Sequence, residues 1–272
     1  MTLHLRTITL DRKLQLPSVF PFTVPLIANH TVLELTTPVT LFVGENGSGK
    51  STLLEAIAIA ARMVTVGSRD AHRDETLVPL RVLADRLKLS WHKQTKRGFF
   101  MRAEDFFGFA KRISQMQQEM RDDLLAVDRE YMGRSETAKA LAKMSHAGQL
   151  HALQQSYGEG LDSASHGESF FALFRSRFVP GGLYVLDEPE APLSPSRQLA
   201  FLAMLHQMVG QDAQFLIATH SPILLAYPGA TIYSCDGGVL RQMKYDELEH
   251  VTLTRDFLNN PAAYLRQLLD TA

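Results

Sequence analysis

The sequence predicts an α/β fold with a mixed central sheet, an N-terminal antiparallel portion and a short inserted helical subdomain. Three observations lead to this prediction. An apolar run at residues 39–43 leads through a glycine-rich turn into a run of helix formers, which is typical of a strand, a turn and a helix. Two further apolar runs, at 183–186 and 214–218, have the character of buried parallel strands. Between the first run and the other two lies a long stretch of helical periodicity, which we assign to an insertion at residues 104–160.

Length and composition are consistent with one domain spanning residues 1–272. The chain has 272 residues, of which 45% are hydrophobic, and this is enough to bury a sizeable core. Its net charge of −1 and pI near 6.8 exclude a bulk electrostatic attraction to nucleic acid or to an anionic membrane. Any such contact would need a local patch.

The sequence favours a cytoplasmic protein without an integral membrane segment. Its single cysteine, Cys235, cannot form an intramolecular disulfide, and the first residues lack the charged and apolar regions of a signal peptide. No apolar stretch approaches the ~18 uninterrupted residues of a membrane span. We therefore expect a protein of the reducing cytosol that is at most peripheral to a membrane.

Two segments near the N-terminus, residues 3–10 and 31–35, alternate apolar and polar residues and predict strands of a partly exposed sheet. The loop between them is rich in proline and carries two aromatic residues, Phe20 and Phe22. One ring could stack on a nucleotide base, because the loop lies a short distance upstream of the glycine-rich turn. The alternative is that both rings plug the hydrophobic core.

The glycine-rich turn at residues 44–51 has two glycines five positions apart followed by Lys50 and Ser51, the pattern of a phosphate-binding P-loop. Glycine allows the backbone N–H groups to converge on an anion, and the following helix N-terminus adds partial positive charge. Lys50 is expected to reach the β- and γ-phosphates, and the Ser51 hydroxyl to ligate Mg²⁺. The predicted nucleotide ligands are Asn46, Gly47, Ser48, Gly49, Lys50, Ser51 and Thr52.

The segment after the P-loop helix is less distinctive. Residues 67–81 are polar and charged, and they predict an exposed loop. Alternating residues at 87–92 and an apolar run at 99–101 predict a hairpin. Its basic and aromatic residues could form a nucleic-acid platform, although strands often carry this mixture for packing and solubility alone. The residues of this platform would be Trp91, Lys93, Lys96, Arg97, Phe99 and Arg102.

The predicted insertion consists of helices. Apolar residues recur at steps of three or four from Phe106 to Tyr131, which predicts one long amphipathic helix. A second helical stretch, with Ser135 as its N-cap, runs in pieces towards Gln155. Glycines then provide a flexible approach to Ser165. The insertion is far too short for a long coiled-coil arm.

Polar residues follow both of the later apolar runs. Asp187 and Glu188 end the run at 183–186, where one carboxylate can support Mg²⁺ and the next can orient or deprotonate a water molecule. His220 follows the run at 214–218, where it can donate a hydrogen bond to a γ-phosphate. Residues 232–242 predict a hairpin, and short helices are expected from Tyr245 to Leu269.

These motifs together resemble the ABC class of ATPases, which includes the SMC and Rad50 heads and the OLD-type ATPases. The resemblance rests on the P-loop, on Leu-Asp-Glu-Pro at 186–189 and on Ala-Thr-His-Ser at 218–221. With Phe-Phe-Met-Arg-Ala-Glu at 99–104 and Asp-Glu-Pro-Glu-Ala at 187–191, the chain is also similar to small stand-alone bacterial predicted ATPases. The resemblance implies that Asp187 supports Mg²⁺, that Glu188 is the catalytic base and that His220 senses the γ-phosphate of ATP.

The class also has a signature, usually Leu-Ser-Gly-Gly-Gln, shortly before the second strand motif. Here residues 164–168 read Ala-Ser-His-Gly-Glu. The resemblance implies that Ser165 and Gly167 contact ATP held by a second subunit, so an ATP-dependent homodimer is expected. Ser194 stands where transporters usually carry Asp, and the glutamine-loop position falls near Gln94, Arg102 or Glu104.

The favoured function is Mg²⁺-dependent ATP binding and hydrolysis that switches an unidentified protein partner. One alternative is the ATP-binding subunit of a membrane transporter. Another is a DNA-repair or phage-defence ATPase that acts with a nuclease or toxin partner, for which DNA-stimulated, salt-dependent turnover would be diagnostic.

Overall fold

The computed structural model describes residues 3–12, 17–66, 71, 75–157 and 166–269. Within these residues the chain forms two sheets. The smaller sheet has three strands in the order β2-β1-β4, and the larger has six in the order β5-β6-β7-β3-β8-β9. This arrangement confirms the predicted α/β fold with a mixed central sheet and an N-terminal antiparallel portion.

The strands follow the apolar runs of the sequence closely. They are β1 (Leu5–Leu10), β2 (Val32–Glu34), β3 (Val39–Val43), β4 (Leu87–Trp91), β5 (Gly98–Arg102), β6 (Leu183–Asp187), β7 (Gln214–Ala218), β8 (Thr231–Ser234) and β9 (Arg241–Met243). The helices of the described residues are α1 (Pro25–Asn29), α2 (Lys50–Ala60), α3 (Val78–Ala84), α4 (Ala103–Glu130), α5 (Glu136–Tyr157), α6 (His166–Arg177), α7 (Pro195–Val209), α8 (Pro222–Leu225), α9 (Glu249–Asn259) and α10 (Pro261–Leu269).

The larger sheet is parallel apart from its last strand. Strand β3 pairs with β7 on one side and β8 on the other, and β6 pairs with β5 and β7, all in parallel. Only β9 is antiparallel, and it forms the predicted hairpin with β8. Every residue of β3, β6 and β7 is buried, because both faces of the larger sheet are covered, one by helices and the other by helices and the smaller sheet.

Alternate side chains of the larger sheet enter two hydrophobic clusters. On one face, residues such as Tyr184, Leu186 and Phe215 pack with α4, α6, α7 and α8. On the other face, residues such as Val185 and Leu216 pack with α2, α3 and the smaller sheet. Helix α2, which follows the P-loop, is therefore fixed between the two sheets.

A buried glutamine joins the two sheets at the start of β7. The Gln214 side-chain oxygen accepts hydrogen bonds of 2.9 Å from the backbone N–H groups of His4 and Leu5, and its amide donates to the Leu5 carbonyl at 2.8 Å. These bonds satisfy the amide in the interior, where an unpaired polar group is costly. The position of the antiparallel sheet relative to the nucleotide-binding strands is thereby fixed.

Helices α4 and α5 form an antiparallel pair inserted between the neighbouring strands β5 and β6. Asp128 of α4 bridges Lys139 and Lys143 of α5, and Asp123 lies 3.4 Å from His146. Residues nearer the start of α4 therefore contact residues nearer the end of α5, as in an antiparallel pair. The predicted long helix is confirmed, whereas the predicted second stretch in pieces is one continuous helix.

Two local predictions are wrong. The residues at 87–102 do not form a hairpin, because β4 pairs antiparallel with β1 and β5 pairs parallel with β6 in the other sheet. Local alternation is the same for both pairings, so the sequence could not distinguish them. The loop predicted at 67–81 is partly helical, since α3 starts at Val78 and buries Leu80. None of the described helices is long and apolar enough to cross a lipid bilayer.

Candidate nucleotide site

Three neighbouring strands bring the predicted motifs to one edge of the larger sheet. The P-loop follows β3, Thr219 and His220 follow β7, and Asp187 and Glu188 end β6. Because β6, β7 and β3 are adjacent and parallel, their carboxyl ends lie side by side. This edge is where ligands bind in open α/β sheets.

The P-loop backbone has the conformation that its glycines permit. Gly47 and Gly49 have φ angles of 83° and 99°, in the left-handed region that side chains disfavour. A Cβ atom on Gly49 would also lie 2.7 Å from Val24 Cγ1. Gly49 is therefore required both by its backbone angle and by the close packing of the upstream loop.

Lys50 is the first residue of α2, and only 4% of it is exposed. Its ammonium nitrogen donates to the Gly44 carbonyl at 2.6 Å and to the Glu45 carbonyl at 2.9 Å. It also lies 3.4 Å from the Ser48 hydroxyl. A cation is thus held inside the concave side of the loop, where it can exchange these carbonyls for phosphate oxygens.

Asp187 is directly beside the start of the P-loop helix. The Ser51 hydroxyl donates a hydrogen bond to its carboxylate. The pKa of Asp187 is raised from 3.8 to about 6, chiefly by burial; Glu188 contributes to the increase, and Ser51 and Lys50 oppose it. The two residues predicted to support Mg²⁺ are therefore in contact, and the ionised carboxylate lacks sufficient positive charge around it.

Glu188 has a strained backbone, with a φ angle of 50°. Its N–H donates to the Ala218 carbonyl at 2.9 Å and so extends the pairing of β6 with β7. Its side chain is 42% exposed, and its Oε1 lies 3.8 Å from Nε2 of His220. Non-glycine residues held in this region of φ cluster at functional sites.

A third carboxylate of the same segment holds the histidine loop. Glu190 Oε1 accepts hydrogen bonds of 2.7 Å from the Thr219 hydroxyl and from the His220 backbone N–H. Burial raises the pKa of Glu190. Glu190 received no role from the sequence, although it stands in the same Asp-Glu-Pro-Glu run as Asp187.

Several buried polar atoms at this edge have no hydrogen-bond partner within the described residues. They are Asp187 Oδ1, Glu190 Oε2, His220 Nε2 and His250 Nε2. Buried polar atoms are normally hydrogen-bonded, so several unpaired atoms at one edge need an explanation. A bound polar ligand at this edge would supply the missing partners.

The residues fit a magnesium–nucleotide complex. Glycines with positive φ angles, a buried lysine and a helix N-terminus are the groups that bind a chain of phosphates. A hydroxyl in contact with a carboxylate that carries an orphan oxygen suits a hard cation such as Mg²⁺. Ser51 and Asp187 would hold the metal, while residues 46–52 would hold the phosphates.

The remaining predicted site residues have different outcomes. Ser165 lies outside the described residues, and Gly167 is in the first turn of α6. Phe22 is 4% exposed and belongs to the core, whereas Phe20 is 54% exposed. The predicted nucleic-acid platform is not a common surface, because Phe99 and Arg102 are both buried.

Arg102 instead forms an ion-pair network next to the site. It ends β5 opposite Asp187 of β6, and its guanidinium makes two hydrogen bonds to Asp105, of 3.0 and 2.8 Å. It also lies 3.5 Å from Glu55 of α2 and 3.2 Å from Glu104. Burial raises the pKa of Glu55 to about 7 against the opposing effect of Arg102. Arg102 thus connects the P-loop helix to the start of the inserted helices.

Asp236 supports the P-loop from the opposite side. Its Oδ1 accepts a 2.8 Å hydrogen bond from the Glu45 N–H, and its Oδ2 accepts one from the Ser234 hydroxyl at 3.0 Å. The turn at 235–238 and the P-loop residues 45–48 line a common cleft with Pro25 and Glu249. The sequence identified this turn only as a hairpin signal.

Comparison with known proteins gives one family match. Residues 13–73, which include the P-loop, match a family described as an AAA domain. No curated protein matches the chain. The family match and the placement of the three motifs bear out the class recognised from the sequence, and the chain resembles ABC-class P-loop ATPases.

Solved structures that align with this chain include an ATP-binding cassette of an ABC transporter in its ADP conformation. It is 15% identical, has a TM-score of 0.46, and the match covers 95% of this chain and 98% of that chain. The Smc head domain from Pyrococcus furiosus, with an extended coiled coil and bound to the C-terminal domain of ScpA, is 12% identical with a TM-score of 0.44, covering 93% and 99%. The SMC head domain from Thermotoga maritima is 15% identical with a TM-score of 0.38, covering 89% and 98%.

Proposed function

We propose that the chain is a Mg²⁺-dependent ATPase that binds ATP between two copies and switches a protein partner. The observation that carries the proposal is the convergence of the P-loop, Asp187, Glu188 and His220 at adjacent strand ends. The orphan oxygen of Asp187 and the orphan nitrogen of His220 lie at the same edge. Together they provide a phosphate cradle, a metal support, a base and a phosphate sensor.

Glu188 is the proposed general base. Its exposed carboxylate can accept a proton from a water molecule as the water oxygen attacks the γ-phosphorus and the bond to the bridging oxygen of ADP breaks. Lys50 stabilises the negative charge on the phosphates, and His220 donates to the γ-phosphate from a loop fixed by Glu190. Bound Mg²⁺ would neutralise charge on the β- and γ-phosphates. Asp187 and Ser51 provide the protein oxygens at that position.

In the proposed dimer, Ser165 and Gly167 contact ATP held by the P-loop of the second copy. Gly167 lies in the first turn of α6, where backbone N–H groups are not used within the helix. A helix start of this kind favours phosphate. Hydrolysis would remove the γ-phosphate from between the two copies and weaken the dimer.

The inserted helices are the proposed route to the partner. Arg102 ties α4, through Asp105, to Glu55 of the P-loop helix. Away from the site, the turn between α4 and α5 exposes Met132, which is 79% exposed, and α5 exposes Leu141, which is 70% exposed. A change at the nucleotide edge would therefore reach an exposed surface through one ion-pair network.

Glu188→Gln tests the assignment of the base. Glutamine keeps the shape of the side chain but cannot accept the proton, so ATP turnover should fall by about 10² or more, the range of general-base help. ATP affinity should remain. Phosphate release and equilibrium binding are the two measurements, with Glu119→Gln on the exposed surface of α4 as the matched control. Normal turnover in Glu188→Gln would remove this residue from the chemistry.

The same variant tests the dimer. Light scattering after gel filtration would give its mass with Mg·ATP and without nucleotide. A shift from monomer to dimer supports two copies sharing ATP, and Ser165→Ala in the same background should weaken the shift. An unchanged mass at saturating ATP would contradict the proposed homodimer while leaving the assignment of Glu188 intact.

A further inference from the structure

The first turn of α9 lies at the nucleotide edge, although it is far from the recognised motifs in sequence. Leu248 and Val251 are buried in the core cluster that contains Leu224 and Leu225 of α8, and they fix this turn. Glu249, between them, lines the cleft formed by P-loop residues 45–48 and the turn at 235–238. The next residue is His250.

Two charged or titratable residues are close enough to His250 to affect its pKa. They are His220, which follows β7, and Asp236, which follows β8. Strands β7 and β8 flank β3, and neighbouring strands are about 4.8 Å apart. His250 is therefore near the ends of the two strands that flank the start of the P-loop. Asp236 itself touches the P-loop through the Glu45 N–H.

One ring nitrogen of His250 is available for a hydrogen bond to a ligand. Its Nε2 is buried and has no hydrogen-bond partner within the described residues, and the same is true of His220 Nε2. Burial and the neighbouring His220 lower the pKa of His250, and Asp236 opposes this effect. A neutral imidazole still carries one N–H donor, and it does so without repelling His220.

We propose that His250 is a ligand of the nucleotide and donates a hydrogen bond from its imidazole to a phosphate oxygen held by the P-loop. The inference rests on the proposed ATPase function. It adds a histidine on a C-terminal helix to the ligands contributed by the P-loop and by the loop after β7. Bound nucleotide would then add a polar contact to a turn that Leu248 and Val251 already fix.

The test uses the Glu188→Gln chain, in which ATP persists. His250→Leu removes the donor at similar volume, and His250→Gln keeps an N–H donor. Titration calorimetry with Mg·ATP should show binding about 10- to 100-fold weaker for His250→Leu, the range expected for a lost hydrogen bond to a charged group. His250→Gln should recover part of the affinity. His151→Leu on exposed α5 is the matched histidine control and should bind as the parent does.

A second measurement separates binding from folding. The melting temperature without nucleotide should be nearly equal in His250→Leu and the parent, while the increase on adding Mg·ATP should be smaller in the variant. Parent-like affinity in His250→Leu would overturn the proposal. So would equal loss in His250→Gln and His250→Leu accompanied by lower melting temperatures without nucleotide, because that result assigns the ring to folding.

A further variant distinguishes this inference from the function on which it rests. Lys50→Ala should abolish Mg·ATP binding if the P-loop holds the phosphates. Binding lost in Lys50→Ala but unchanged in His250→Leu would reject only the role of His250. Binding unchanged in both would reject the proposed nucleotide site itself.

Discussion

Replacing Asp187 by Asn should make the nucleotide-free protein more stable and at the same time abolish its activity. The Asp187 carboxylate is 7% exposed, and burial raises its pKa from 3.8 to about 6. Above pH 6 the native state must therefore hold an ionised group in an unfavourable place. Asparagine has nearly the same shape and an oxygen that can accept from Ser51, but it carries no charge.

The direction and size of the effect follow from the change in pKa. A folded-state pKa above the unfolded value contributes stability that is fully present below pH 3.8 and is lost as the pH rises through 6. Each pKa unit corresponds to about 1.4 kcal/mol, so the wild-type chain loses about 3 kcal/mol between these limits. At pH 8 Asp187→Asn avoids this loss. The gain corresponds to a rise of roughly 6 to 10 °C in melting temperature for a chain of this size.

Thermal unfolding of both proteins at pH 5 and pH 8, without nucleotide or magnesium, would measure the gain. The difference in melting temperature should be about twice as large at pH 8 as at pH 5, because about half of the loss in wild-type stability is already present at pH 5. Asp256→Asn, on the exposed side of α9, is the control for removing one negative charge. If Asp187→Asn were no more stable than wild type at pH 8, burial of an ionised carboxylate would not be the cost that we assign to this site.

Two further variants test the supports of the site. Arg102→Leu should lower the free energy of unfolding by about 3 to 5 kcal/mol at pH 8, because it leaves the largely buried carboxylates of Glu55 and Asp105 without their cation. The loss should be smaller at pH 5. Equal urea midpoints for the variant and the wild type would contradict this prediction. Gly49→Ala should unfold at a lower urea concentration than Gly181→Ala. Both positions have a positive φ angle, but only at Gly49 would an added Cβ atom lie 2.7 Å from a neighbouring side-chain atom, Val24 Cγ1. Equal losses of stability would show that Val24 moves aside.

The sequence predicted the nucleotide edge because its signals are local. A glycine-rich turn between an apolar strand and a helix, and polar residues directly after buried strands, specify the conformation of Lys50, Asp187 and His220 without knowledge of the strand order. The parallel sheet then brings the strand ends together, as its fold class requires. Central strands such as β3 and β7 were predicted residue for residue, since both faces are buried and the apolar runs are continuous.

The residues that were missed depend on tertiary neighbours. The alternation at 87–92 specifies a strand but not its partner, so β4 was assigned to a hairpin that does not exist. Arg102 seemed to be part of a basic surface, yet register places it opposite Asp187 and beside Glu55. His250 has no motif at all. Its position depends on the packing of the first turn of α9 against α8, which no local pattern contains.

The charges around the site favour the magnesium complex of a nucleotide over free nucleotide. Glu55, Asp187 and Glu190 are carboxylates whose pKa values are all raised, in each case chiefly by burial. The buried cations nearest to them, Lys50 and Arg102, are already engaged with loop carbonyls and with Asp105. Adding only phosphate charge would increase the repulsion among these groups, whereas a divalent cation entering with the nucleotide would reduce it. Without a ligand, repulsion among these carboxylates makes the edge of the sheet electrostatically unfavourable, and binding of Mg·ATP would reduce that repulsion.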